Sequence, residues 1–96
     1  MSTRKPVPVA LFRLGQIVAT PNALSKLCHE DISTAIGRHE AGDWGDLDEE
    51  DKRENQLSLE KRFRLLSAYH ARSGVKFWVI TEADRSVTTV LMPEDY

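Results

Sequence analysis

From Arg62 to Leu91 the apolar residues fall into three runs joined by connections too short for anything but hairpins. In the first, Phe63, Leu65, Ser67 and Tyr69 alternate with Arg62, Arg64, Leu66 and Ala68. A two-residue period is the pleat of a strand, whose side chains point to opposite faces in turn. Lys76 to Glu82 (KFWVITE) is rich in aromatic and β-branched residues, which suit a pleated, half-buried surface. Ser86 to Leu91 forms a third run, and Pro93 stops it. Arg72-Ser73-Gly74 and Ala83-Asp84-Arg85 supply turn chemistry between them. Parallel neighbours need a crossover of a dozen residues or more, so these runs predict an antiparallel meander over about residues 62–71, 76–82 and 86–91.

A meander with an apolar face needs a cover, and the preceding residues supply one. Leu14 to Thr20 predicts an added N-terminal strand over about 14–20. At Thr20-Pro21 the threonine suits a helix cap, and the proline suits a first turn that needs no N–H. Ala23, Leu24 and Leu27 give one short helical face, predicting a helix over about 21–28. Ile32, Ala35, Ile36 and His39 recur at i, i+3, i+4 and i+7, predicting another over about 31–40. Gly37 weakens it by up to ~1 kcal/mol relative to alanine. A third helix is expected over about 47–57. The expected class is α+β, with two or three helices packed on one face of the sheet. Pro6 and Pro8 predict an extended or flexible arm over residues 1–12, leaving 13–96 as a single domain.

Ninety-six residues suit one core rather than two. A formal net charge of −2 gives no global field toward nucleic acid or an anionic membrane, so neither is an expected partner. No apolar run approaches the ~20 residues that span a bilayer. The prolines interrupt the short apolar patch behind Arg4 and Lys5, which makes it a poor signal-peptide core. The single cysteine, Cys28, fits a reducing compartment, so a cytoplasmic location is expected.

Charge is uneven along the chain. Seven acids and two bases lie between Asp43 and Glu54, beside the Trp44 indole. Asp46 with Glu49 has capping-box spacing, and further acids crowd the first turn, where the helix dipole favours anions. Calcium is a poor fit. A loop begun at Asp46 supplies Asp48 and Glu50, but its sixth position is Asp51 rather than glycine and its twelfth is Leu57 rather than glutamate. Two readings stay open. Either Trp44 folds onto the core behind a capped, solvated helix start, or it stands exposed as an aromatic anchor rimmed by Asp43, Asp46 and Asp48.

Glu82, Asp84 and Arg85 cluster at the second hairpin, with turn chemistry as the alternative to a polar site. Arg85 is also a candidate to pair with an acid of the 43–51 stretch. Arg62 and Arg64 share one face of the expected strand and are candidates for phosphate, against the reading of a solvated face. Cys28, His29, His39 and His70 include no CxxC or HxxxH spacing, so no metal is expected, and His39 reads as packed. No glycine-rich phosphate loop and no G-x-S-x-G motif occur. No catalytic residue and no cofactor are expected.

Residues Gly42 to Asp51 with Asn55, Leu66 to Tyr69, Phe77 to Ser86, Thr88-Thr89 and the ending Pro93 to Tyr96 together resemble a family of short uncharacterised bacterial proteins. That family is carried on plasmids and integrated mobile elements. The resemblance covers roughly residues 13–96 and implies little chemistry. The label of type I restriction methyltransferase subunit, sometimes attached to it, fits neither this length nor the missing cofactor-binding glycines. What the resemblance implies is an accessory protein of a mobile element. The leading expectation is protein binding without catalysis, through Asp43, Trp44, Asp46, Asp48, Glu82, Asp84 and Arg85, with a host or mobile-element protein, such as a defence complex, as partner. A narrower version is a counter-defence inhibitor, of anti-CRISPR or antirestriction type, that blocks a nucleic-acid groove with its acidic surface. A different class is a divalent-metal enzyme built on Glu82, Asp84 and His70. The apolar hairpins also invite edge pairing into a homodimer.

Overall fold

The β-branched and aromatic runs form the strands. The structure, a computed structural model, describes residues 10–96. Strands β1 (Gln16–Ala19), β2 (Leu65–His70), β3 (Lys76–Thr81) and β4 (Val87–Leu91) make one sheet in the order β1-β4-β3-β2. The meander is as expected: β2 pairs antiparallel with β3, and β3 with β4, with Val79 opposite both Ser67 and Val90. β1 joins the outer side of β4 in parallel, Ile17 opposite Thr88. Parallel pairing needs a long connection, and all three helices lie within it.

Helices α1 (Pro21–Lys26), α2 (His29–Glu40) and α3 (Glu49–Lys61) complete the α+β architecture, and a single 3-10 turn covers Pro93–Asp95. Thr20 caps α1 as read from the sequence, its Oγ1 accepting from the Ala23 amide at 3.1 Å. Ala23 and Leu27, from α1 and its cap, and Ala35 of α2 pack on Tyr69, Phe77, Val79 and Val90. Two helices therefore cover one face, and burying that apolar surface, at about 25 cal/mol per Å², drives their docking. α3 lies instead beside β2. Its Asn55 donates from Nδ2 to the Leu66 carbonyl at 2.6 Å and accepts at Oδ1 from the Leu66 amide at 3.2 Å. One side chain thus takes the place of a neighbouring strand.

Three expectations are corrected. α3 is capped by Asp48, whose Oδ1 accepts from the Asp51 amide at 2.8 Å, and not by Asp46. It also runs on to Lys61, so residues 62–64 are not strand. Arg62 sits in the left-handed region at φ 61° and closes the helix, its amide bonded to the Ser58 carbonyl at 2.8 Å. Residues 1–9 of the expected arm lie outside the described residues, and its last two residues are docked. The Leu11 amide donates to Glu40 O at 2.9 Å, and the Phe12 ring stacks on Trp44 with centroids 6.3 Å apart. Among the described residues no helix is long and apolar enough to cross a membrane.

Candidate functional site

Gly42 to Asp46 forms a strap along the open side of β2. The Asp46 amide donates to the Ala68 carbonyl at 2.8 Å, and the Ala68 amide donates to Trp44 O at 3.2 Å. That approach needs Gly45. It sits at φ 74°, and a Cβ there would stand 2.0 Å from Ala68 O. With the strap on Ala68 and Asn55 on Leu66, the β2 edge is occupied. The hairpin edge expected to pair into a homodimer is therefore closed by the chain itself.

The strap turns Trp44 inward. The indole is 4% exposed, with His39 edge-on at 5.8 Å and Phe12 stacked over it. This overturns the expectation of an exposed aromatic anchor: Trp44 belongs to the core. Among the described residues its Nε1–H has no hydrogen-bond partner. The carboxylates on either side do point outward. Asp43 pairs with Arg38, Oδ2 to Nε at 2.8 Å, and accepts from the Gly45 amide. The Arg38 guanidinium holds the Asp43 carboxyl below the usual carboxylate range. Arg38 lies 4.6 Å from the centre of the Tyr69 ring, whose hydroxyl donates to the Asp43 carbonyl. Burial pushes the Tyr69 hydroxyl up to about 12. Asp46 pairs with His70 at 2.6 Å.

These groups rim a cleft of about 260 Å³ between α2 and β2, lined by Asp31, Arg38, Tyr69, His70 and Arg72 among others. Arg72 pairs with Asp31 at 2.9 Å and donates to the Cys28 Sγ. Each cation of this cleft already holds an acid of the same chain.

The second predicted group lies elsewhere. Asp84 closes its own turn, accepting from the Ser86 amide at 3.0 Å and from its hydroxyl at 2.6 Å. Glu82 pairs with Arg64 at 3.5 Å. Arg85, 8% exposed, pairs with no acid of the 43–51 stretch; it donates to the backbone carbonyls of Ser58, Phe63, Glu82 and Ala83. His70 is not brought to the other two residues of the metal-enzyme expectation. His70 ends β2 where Lys76 begins β3, whereas Glu82 and Asp84 follow the far end of β3. Five residues of strand separate them, about 17 Å. Among the described residues no three His, Cys, Asp or Glu side chains are placed to hold a metal. Arg62 and Arg64 part company as well, Arg62 at the helix end and Arg64 paired with Glu82.

A buried polar chain runs around His39. His39 shares hydrogen bonds with Ser67 Oγ at 2.6 Å through Nδ1 and with Thr81 Oγ1 at 2.9 Å through Nε2. Thr81 continues to Thr88 at 2.7 Å, and Thr88 donates to the Leu14 carbonyl. Every member of this chain is fully buried, and Phe12 and Trp44 close over the imidazole. Among the described residues both side chains of this serine–histidine pair are sealed from solvent and hydrogen-bonded within the core, as buried polar groups require.

No family model, curated protein or solved structure matches the chain. The exposed groups therefore carry the functional reading. Asp48, Glu49, Glu50, Asp51 and Glu54 are all exposed along the first half of α3. Among the described residues a cation approaches only one of them, Lys52 at 3.9 Å from Glu49. Composition pointed to that stretch. Nothing in the sequence pointed to Phe12 as the ring that seals Trp44.

Proposed function

We propose that this protein acts by binding another protein, without catalysis, through the acidic first half of α3. The supporting observation is the row Glu50, Asp51 and Glu54, exposed and without an ion pair among the described residues, directly after the Asp48 cap. Asp43 and Asp46, by contrast, are engaged by Arg38 and His70. Unpaired carboxylates on a rigid helix suit a basic partner surface, where they steer encounter and fix register. In line with the resemblance to mobile-element proteins, the partner is a host or element protein. The narrower form of the reading is a counter-defence role, in which the acidic row occupies a groove that otherwise holds nucleic acid.

The test uses Glu50→Gln with Glu54→Gln. Loss of these charges costs the helix about 1 kcal/mol or less. Capture of a partner by the wild type should weaken steeply with added salt. In the variant capture should fall about tenfold while the unfolding midpoint barely moves. Equal capture by both proteins would remove α3 as the contact. The counter-defence form predicts fewer plaques on a strain that lacks the gene than on one that carries it, when that strain has an active defence system. Equal plaquing would remove that form alone.

A further inference from the structure

We infer that the concavity between the Leu11–Arg13 segment and the C-terminal end of α3 is an anion-binding site, fitted to a phosphate group carried on an apolar or aromatic body. It encloses about 210 Å³ and is lined by Leu11, Phe12, Arg13, Leu59, Arg62 and Arg85. Three of its six lining residues are arginines and none is an acid. Among the described residues none of the three arginines forms an ion pair, whereas Arg38, Arg64 and Arg72 each hold a carboxylate. A concave surface lined by one sign of charge concentrates its field on small ions of the other.

Arg85 is the fixed element of this site. Nη1 donates to Phe63 O at 2.7 Å, and Nη2 donates to Ser58 O at 3.0 Å, so the guanidinium is held before any ligand arrives. Those carbonyls belong to the end of α3 and the residues after it, where the helix dipole is negative and opposes an anion. Arg85 offsets that negative end from within, leaving Arg13 and Arg62, both exposed, as the free cations. Burial, and then the charge of Arg62, lower the Arg85 pKa, which fits two cations facing each other without an intervening acid. Arg62 and Arg85 are also the only non-glycine described residues in the left-handed region, both at φ 61°. Each such residue carries a backbone cost, and both stand on the rim of the same concavity. Phe12, with Arg85 5.8 Å from its ring centre, and Leu59 supply the apolar wall.

This site is independent of the acidic row, and its test is separate. The full chain, labelled with ¹⁵N, is titrated with inorganic phosphate, phenyl phosphate and benzoate while amide shifts are followed. Saturable shifts at Phe12, Arg13, Arg62 and Phe63 are expected, with phenyl phosphate bound more tightly than either of the others. Arg13→Gln and Arg62→Gln should each weaken phenyl phosphate about tenfold, since each removes a charge-assisted contact. Arg64→Gln should leave it unchanged. Arg85 is kept intact because its removal unseats four carbonyls. Shifts that do not saturate, shifts centred on Arg38 and Arg72, or undiminished binding by Arg62→Gln would each overturn the assignment. Benzoate bound as well as phenyl phosphate would overturn the phosphate preference.

Discussion

His39 occupies a fully buried position between hydroxyls, and desolvation, with a smaller contribution from the Arg85 charge, lowers its pKa from 6.5 to about 4. Both partners are hydroxyls, so the hydrogen bonds survive either protonation state and the cost of charging the ring is chiefly its burial. The sign follows from linkage. The unfolded chain takes up a proton near pH 6.5 and the folded chain only near 4, so stability is complete above 6.5 and falls as pH drops toward 4. A shift of that size corresponds to about 3 kcal/mol. Urea unfolding between pH 6.5 and 4 should show this loss, and His39→Gln, which does not titrate, should remove the slope. The carboxylates of Asp31, Asp43, Asp84 and Asp95 have lowered pKa values, so their contributions are lost at lower pH. Trp44→Ala should cost about 3–5 kcal/mol by emptying a packed site. Trp44→Phe, which also removes the N–H that lacks a partner among the described residues, should cost far less in the same unfolding assay. The helical spacing of Ile32, Ala35, Ile36 and His39 made the histidine's burial legible. The burial of Trp44 was not, because it depends on Phe12, a residue remote in sequence and outside any periodic run.

Elements were legible where burial is apolar and obscure where it is polar. α1, α2 and the three strands of the meander announce themselves through caps and periods. The inward residues of α3 are Asn55 and Ser58, so no apolar stripe marked how far it runs, and its last turn read as the start of a strand. Arg62 to Arg64 alternate like a strand, but Arg62 is the left-handed helix cap and only Phe63 and Arg64 join it to Leu65. The polar seam is the point at which α3 is held. Asn55→Ala leaves both backbone groups of Leu66 without their partner and should cost about 1–3 kcal/mol, read as a shifted urea midpoint. Gly45→Ala acts on the strap rather than the helix. Its methyl group meets backbone and the Tyr69 ring, neither of which can yield cheaply, so a loss of at least about 2 kcal/mol is expected. Faster hydrogen exchange at the Asp46 and Ala68 amides should accompany it, because the strap is then displaced from β2.

At the scale of the whole molecule the sheet has two unlike edges. On the β2 side, Asn55 and the Gly42–Asp46 strap occupy the backbone groups of Leu66 and Ala68, the arrangement by which proteins prevent strands from adding to one another. On the other side, β1 is four residues long and Ile17 is half exposed. Gln16 and Thr20 bond toward β4, so by alternation the amides of Ile17 and Ala19 face away from the sheet. Sequence could not separate these edges. The parallel placement of β1 is a long-range outcome, and the closure of β2 depends on one glycine and one buried asparagine. A second copy adding strand to strand therefore has β1 as its one open site among the described residues. Ile17→Lys places a charge on that edge at a half-exposed position and should cost about 1 kcal/mol of stability. Sedimentation across a concentration series should give a monomer for this variant throughout, and any dimer of the wild type should disappear in it. A dimer that persists in Ile17→Lys, and that Asn55→Ala or Gly45→Ala strengthens, would mean that the β2 edge pairs instead.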